Sequence, residues 1–355
     1  MESLDRTRTP LRPAVRGNGL RKLAAVVLSL ALLGFTAPQA SAATHDDFTP
    51  VTVLGPGVPP DGSSDQNVVA LGTVTLSMSS TQTAYVVSVM RVNSATLRTL
   101  VDNEVVCKWA GGSKNMVVGQ NVYKQGGGNA QWEDISLTTR YLLHPGVATN
   151  VTCTTYIRTA SLGFDDSTVR VVSGYLRFAD TSVANNTAGT AIQNSVPPGL
   201  RRVDATTPIV REPSLPMFDT APGFTGLSVF GDTEYMVCHT SSTCDKSGSS
   251  QARFTLFVNQ WKADGTLCHS DSSATVTKSV PYSVHHVYVP LHQPDFRVRA
   301  DAGCIPRFNA YVLVQWLSGE TGAVQGTAVG LTDSRGSTSK HNSDMSHAYA
   351  VPYTS

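Results

Sequence analysis

Short runs of strand-forming residues, alternating with a period of two and separated by Gly, Asn, Asp or Ser clusters, recur along nearly the whole chain. Such runs satisfy their backbone only by pairing, and they bury a face only against another sheet, so the pattern commits the chain to layered β structure. In the first half the runs fall near 68–78, 83–92, 100–110, 116–124, 131–143, 150–159 and 168–178. In the second they fall near 227–238, 252–261, 265–269, 274–280, 284–291, 296–303, 309–317 and 322–331. Strands of this length and spacing predict an all-β fold with one β-sandwich in each half. Within 83–92 the odd positions Tyr85, Val87 and Val89 line one face, while Val86 and Met90 make the other apolar too, as in a strand buried on both sides. No long stretch beyond the N-terminal segment carries a convincing 3.6-residue amphipathic period.

The N-terminal segment reads as an address. Six basic residues (Arg6, Arg8, Arg12, Arg16, Arg21 and Lys22) accompany a 13-residue apolar run from Leu23 to Phe35, followed by the small-x-small site Ala40-Ser41-Ala42. That is the layout of a cleaved secretory signal peptide over 1–42, and the run is shorter than the roughly 20 residues a spanning helix needs. Secretion to the extracellular space is therefore expected, with no membrane attachment after cleavage. Removing residues 1–42 takes the formal net charge from +1 to −3, which leaves no footprint for nucleic acid. Of the 355 residues 41% are hydrophobic, enough for a sizeable core, and only 15% are charged, a balance that suits a β-rich extracellular protein.

Composition also marks the boundaries. Residues 43–66 are rich in Gly and Pro and read as a flexible lead-in. Residues 183–221 hold Pro197, Pro198, Pro208, Pro213 and Pro216, a density that forbids a central strand and favours an inter-domain linker. The polar tail 335–355 reads as disordered. Two domains are left, 67–182 and 222–334.

In an oxidising space Cys107, Cys153, Cys238, Cys244, Cys268 and Cys304 are candidates for three disulfides. Spacing alone leaves all 15 connectivities open, but the two halves share landmarks. An acidic stretch precedes Cys107 (Val101 to Val106) and Cys268 (Trp261 to Leu267), where Asp264-Gly265 signals a type I′ hairpin. A Leu-His-Pro or Leu-His-Gln-Pro stretch precedes Cys153 and Cys304. With a third pair of stretches after them, Ser173 to Thr181 and Thr327 to Asp333, three landmarks in one order suggest a duplication, and equivalent cysteines then pair as Cys107–Cys153 and Cys268–Cys304, leaving Cys238 with Cys244.

Catalytic constellations are missing. There is no GxSxG elbow, HExxH, P-loop or acidic calcium loop, so no catalytic residue, cofactor or metal site is expected. Asp102 with Glu104, and Asp165 with Asp166, are visible acidic clusters, but Asp belongs naturally in turns. His285 and His286, neighbours in a strand, would point to opposite faces and could not share an ion. His341 and His347 flank Asp344 in the polar tail and are expected to be solvated. Trp109, two residues from Cys107, is expected to pack on a buried disulfide. Trp132, after the Gly126–Gly128 run, and the nearby Tyr123 are the candidate ligand contacts.

Arg outnumbers Lys 19 to 8. With the signal peptide and the Pro145-Gly146 turn running into Thr152-Cys153, this resembles secreted actinobacterial proteins built from immunoglobulin-like β-sandwich domains. The resemblance covers mainly residues 100–180, implies a fold and a compartment, and carries over no site residue. The expected function is a secreted non-enzymatic binding or interaction protein whose partner is a cell-envelope polysaccharide or an extracellular protein. The alternatives are a secreted hydrolase with a site dispersed in sequence, and a passive envelope component.

Overall fold

The computed structural model describes residues 44–57, 67–94, 99–122, 134–161, 165–178, 192–197, 199–237, 244–245, 247–282, 284–300, 303–326, 328–331, 341–343 and 346–354. The expected signal peptide, Trp132, Tyr123 and Cys238 lie outside these. The first half contains β1 (His45–Asp47), β2 (Val51–Gly55), β3 (Asn67–Met78), β4 (Ala84–Ser94), β5 (Thr99–Trp109), β6 (Gly112–Val122), β7 (Asp134–Leu143), β8 (Thr149–Ser161) and β9 (Ser167–Phe178). The second contains β10 (Ile192–Ser195), β11 (Leu200–Val203), β12 (Ile209–Asp219), β13 (Gly226–Val237), β14 (Ser249–Lys262), β15 (Leu267–Ser272), β16 (Val276–Pro281), β17 (His286–Arg297), β18 (Cys304–Gly319), β19 (Gly322–Gln325), β20 (Ala328–Leu331), β21 (His341–Ser343) and β22 (His347–Tyr353). The protein is all-β, as the alternation required.

Each half is built on two sheets around one core, and β20 and β21 pair with each other as a separate two-stranded sheet. In the first, β3-β8-β5-β6 faces β1-β9-β4-β7, with β2 also on β9. Val86, Met90, Leu137 and Val171 of one sheet meet Val101, Val105, Met116 and Ile157 of the other, all fully buried. In the second, β12-β18-β14-β15, with β16 also on β14, faces a sheet ordered β10-β22-β13-β19-β11, with β17 also on β13. Phe254, Leu256, Phe308 and Val312 fill that core from one side and Leu227, Tyr235, Val289 and Ala350 from the other. Counted from β3, the four-stranded order is first-sixth-third-fourth; counted from β12 it is first-seventh-third-fourth, and the two coincide once β15 and β16, which pair with successive stretches of β14, are taken as one interrupted strand. The first two strands of this count, β3 and β4 or β12 and β13, lie in opposite sheets, whereas the immunoglobulin order keeps its first two strands side by side. The likeness to immunoglobulin domains is one of architecture, two sheets closed by a disulfide.

Both expected long disulfides are present, Cys107–Cys153 and Cys268–Cys304. Cys244 is disulfide-bonded as well; its expected partner, Cys238, is outside the described residues. Cys107 and Cys153 are register partners on the adjacent strands β5 and β8, so this bridge lies within a sheet rather than between sheets. Trp109 packs against the same core. Cys153, within β8, and Cys304, at the start of β18, are on strands with the same place in their sheets, but Cys107 sits on the third strand of its half and Cys268 on the fourth. The acidic landmark also differs between halves. Val101–Val106 is mid-strand, whereas Asp264-Gly265 is a hairpin in which Gly265 alone has positive φ (82°). Lys262 accepts from Gly265 N–H and donates to Thr266, the three-residue loop with a glycine bulge rather than the type I′ turn expected.

Three segments read as lead-in, linker and tail carry strands. β1 and β2 pair with β9, so the first sandwich begins before residue 67. β12 lies within the expected linker and pairs along β18, with register shifts between Arg211 and Ser214 and between Leu215 and Phe218. Pro213 and Pro216 fall at those shifts, and the strand is at the sheet edge, where a missing N–H costs no ladder bond. β17 likewise holds Pro290 and Pro294 as an edge strand on β13, which joins two separately expected runs. β22, in the expected disordered tail, lies between β10 and β13 with its first six residues buried.

Candidate functional site

The two sandwiches meet along a junction whose groups come from β4 and β7 on one side and β13, β17 and β22 on the other. The double-sided apolar pattern of β4 is what makes this contact. Val86 and Met90 face the first core, while Tyr85 and Val87 join Leu142, Phe230, Tyr349 and Val351 in a separate buried cluster. β13 is buried along its whole length for the same reason: Leu227, Val229 and Tyr235 enter the second core, and Phe230 turns the other way. Phe230 stacks on Tyr349 (4.6 Å, 17°) and on His292 (3.9 Å, 7°), and both are its register neighbours.

At the centre of the junction is a buried ionic group. Arg140 donates Nε to Asp232 Oδ2 (2.9 Å) and Nη2 to Asp232 Oδ1 (2.6 Å), and Nη2 also donates to the Leu291 carbonyl (3.0 Å). The Arg140 guanidinium also covers the Phe230 ring at 4.5 Å. His347 Nε2 lies 2.9 Å from the Arg140 carbonyl and 3.3 Å from Asp232 Oδ2; two acceptors there place the proton on Nε2. Burial alone would raise the Asp232 carboxyl, but Arg140 and the His347 hydrogen bond outweigh it and hold the group below its ordinary range. The expectation of a solvated His347 is thus corrected: β22 carries it into the interior.

A second acidic feature lies nearby. Glu234, fully buried by the junction, accepts from the Gly119 N–H on the edge strand β6, and it lies close enough to Asp102 to feel its charge. Burial first, and Asp102 second, push the Glu234 carboxyl up to about 8. Its own N–H donates to Ser346 Oγ (2.9 Å). Asp102 and Glu104 are therefore not turn residues. They stand mid-strand on β5, nearly inaccessible to solvent, with Glu104 3.4 Å from the buried Arg158. Asp166 accepts from Gly57 N–H (2.8 Å), a loop-fixing role, and is not brought to Asp102.

Arg140, Asp232 and His347 are spent on one another and act as a clamp between the halves. Beside the junction, β1 and β9 carry a partly exposed patch: the Tyr175 ring, packed on the border of the junction's apolar cluster, with His45 stacked at 5.7 Å and Arg177 at 5.1 Å. Sequence reading missed this patch because Tyr175 looks like any outward strand residue until β1 pairs beside it. Trp261 and Trp316 are tied internally, through Nε1 to Asn309 Oδ1 (2.8 Å) and to the Glu320 carbonyl (3.1 Å).

No protein-family model matches the sequence, and no curated protein matches it. Among solved structures, a Parabacteroides distasonis protein provisionally described as secreted is 8% identical over 79% of this chain and 93% of its own, with a TM-score of 0.17. A structure of infectious bursal disease virus, Gt strain, is 9% identical over 89% of this chain and 74% of that one, TM-score 0.21. The N-terminal CBM22-1–CBM22-2 tandem domain of Xyn10C from Paenibacillus barcinonensis is 10% identical over 89% of this chain and 98% of that one, TM-score 0.20. At these scores none of the three carries an argument about this chain.

Proposed function

We propose that the chain is a secreted, non-enzymatic binding protein of the extracellular space or cell envelope, in which the two sandwiches act as one body. The buried junction supports this reading: a clamp of Arg140, Asp232 and His347 fixes the separation of any two surfaces the halves present. Disulfides that close each half suit an oxidising, protease-rich setting. The ligand we favour is a cell-envelope polysaccharide, because flat aromatic surface flanked by hydrogen-bonding groups is what sugar rings stack on. Tyr175 with His45 and Arg177 provides one such surface, and Trp132 and Tyr123, from the sequence between β6 and β7, are proposed as a second.

Retention of the purified chain on insoluble glycans and intact cell walls tests the proposal. Binding to a glycan should weaken by roughly 1–3 kcal/mol in Trp132→Ala or Tyr175→Ala, by analogy with base–aromatic stacking. A chain retained on no glycan or wall, with no protein partner recovered from culture medium, would leave the proposal unsupported.

A further inference from the structure

Val284 and His285 lead the chain from Pro281 and Tyr282 into β17. His285 N–H donates to the Pro281 carbonyl (3.1 Å), and Val237 N–H donates to the His285 carbonyl (3.0 Å), so this segment is tied to the end of β13. Among the described residues His285 is the one non-glycine with positive φ, 68°, a conformation side chains adopt only at a cost. The strand reading, which sent the two neighbouring imidazoles to opposite faces, fails here for that reason. With His285 in the left-handed region the rings converge, Nδ1 of His285 lying 3.0 Å from Nδ1 of His286. Both histidines are largely but not fully buried, and the rings of Tyr282 and His285 pack edge to face at 6.0 Å. Across the β13–β17 ladder the register partner of His286 is Met236, whose thioether therefore stands on the same face of the sheet.

We propose that His285, His286 and Met236 form a binding site for a single copper ion. Two nitrogens 3.0 Å apart, each about 2.0 Å from a metal, subtend an angle of about 97°. That is the bite of a cis chelate, and it excludes a linear two-imidazole arrangement. Two imidazoles with a thioether are a borderline-to-soft set, which selects copper over hard cations. No group of three or more His, Cys, Asp or Glu among the described residues offers a competing cluster. Metal entry needs no net loss of protons. The ring that donates through Nδ1 in the metal-free pair shifts its hydrogen to Nε2, and both Nδ1 lone pairs become available.

The test is an anaerobic Cu(I) titration of the metal-free full chain against the chromophoric chelator bicinchoninate, with Zn²⁺ titrated in parallel. One Cu(I) per chain should be withheld from the chelator. His286→Ala and His285→Gly should each weaken retention by about 100-fold, and Met236→Leu by about 10-fold for Cu(I) with little change for Zn²⁺. Glycine at 285 keeps the backbone conformation while removing the imidazole, so His285→Gly should unfold at an unchanged or higher denaturant midpoint, which separates lost ligation from lost fold. Complete surrender of copper to the chelator would overturn the site. So would copper held equally well by His285→Gly and His286→Ala, and tighter binding of Zn²⁺ than of Cu(I) would overturn the choice of metal.

Discussion

The interior of the first sandwich and the junction between the sandwiches both bury polar groups, but of opposite kinds. Between the sheets of the first sandwich, Ser88, Asn103, Thr139 and Thr155 form a neutral network. Asn103 Nδ2 donates to the carbonyls of Ser88 (3.2 Å) and Leu137 (3.1 Å), its Oδ1 accepts from Ser88 Oγ (3.0 Å), and Thr139 Oγ1 donates to the Asn103 carbonyl (2.7 Å). At the junction the buried groups are ionisable: Arg140, Asp232, His347, Glu234 and Asp102. A neutral network aligns two sheets at any pH. An ionic one makes the fit of the two halves depend on each partner and on the proton, because one unpaired buried charge costs far more than one unpaired hydroxyl.

The sharpest way to break this contrast is to remove one charge. Asp232→Ala strands the Arg140 guanidinium and should cost about 3–5 kcal/mol in denaturant unfolding, whereas the double change Arg140→Met with Asp232→Leu should cost much less. A double variant as unstable as the single would mean that packing, not charge, holds the halves.

Glu234 gives the next largest effect. Its folded carboxyl, near 8, keeps a proton that the unfolded chain releases near its ordinary value, so stability falls as pH rises from about 4.5 to about 8 and levels off beyond. The total is on the order of a few kcal/mol. About 1 kcal/mol of it should appear between pH 7 and 8, a window above the range in which His286 and His292, held by burial at about 3 and about 4, contribute. Glu234→Gln should flatten that slope; an unchanged slope would assign the pH dependence to another group. Smallest is Asn103→Ala, expected to cost about 1–3 kcal/mol through the partners it leaves unpaired, equally at pH 6 and pH 8. A pH-dependent loss there would erase the distinction between the two regions.

How much of this was readable in sequence follows from what each signal encodes. Alternation located β3 to β9 and most of β13 to β19, because the period of two is imposed by the pleat itself. The landmark comparison reached the correct disulfides Cys107–Cys153 and Cys268–Cys304, although Cys107 and Cys268 stand on non-equivalent strands. The failures share a cause: composition reports what a segment would do alone. Prolines in β12 and β17 argue against a central strand and are silent about an edge. The polar look of 335–355 hides Tyr349 and Val351, whose burial depends on partners more than a hundred residues upstream. Glu234 carries no signal and His347 reads as solvated because nothing local distinguishes a buried ionisable group from an exposed one, and the strand rule fails for His285 and His286 because a single left-handed φ reverses it for neighbouring side chains.

The place of β22 in the sheet has a temporal consequence. Sheet closure in the second half requires a strand between β10 and β13, and that strand is made of residues 347–353, which leave the ribosome after everything they pair with. The first sandwich contains all its own strands and can close while synthesis or transport is still under way, as N-terminal units commonly do. The second half must wait with its central strand β13 unpaired from Gly226 to Asp232 along one flank, and only the arrival of His347, Tyr349 and Val351 completes the sheet and locks the two halves in the same step.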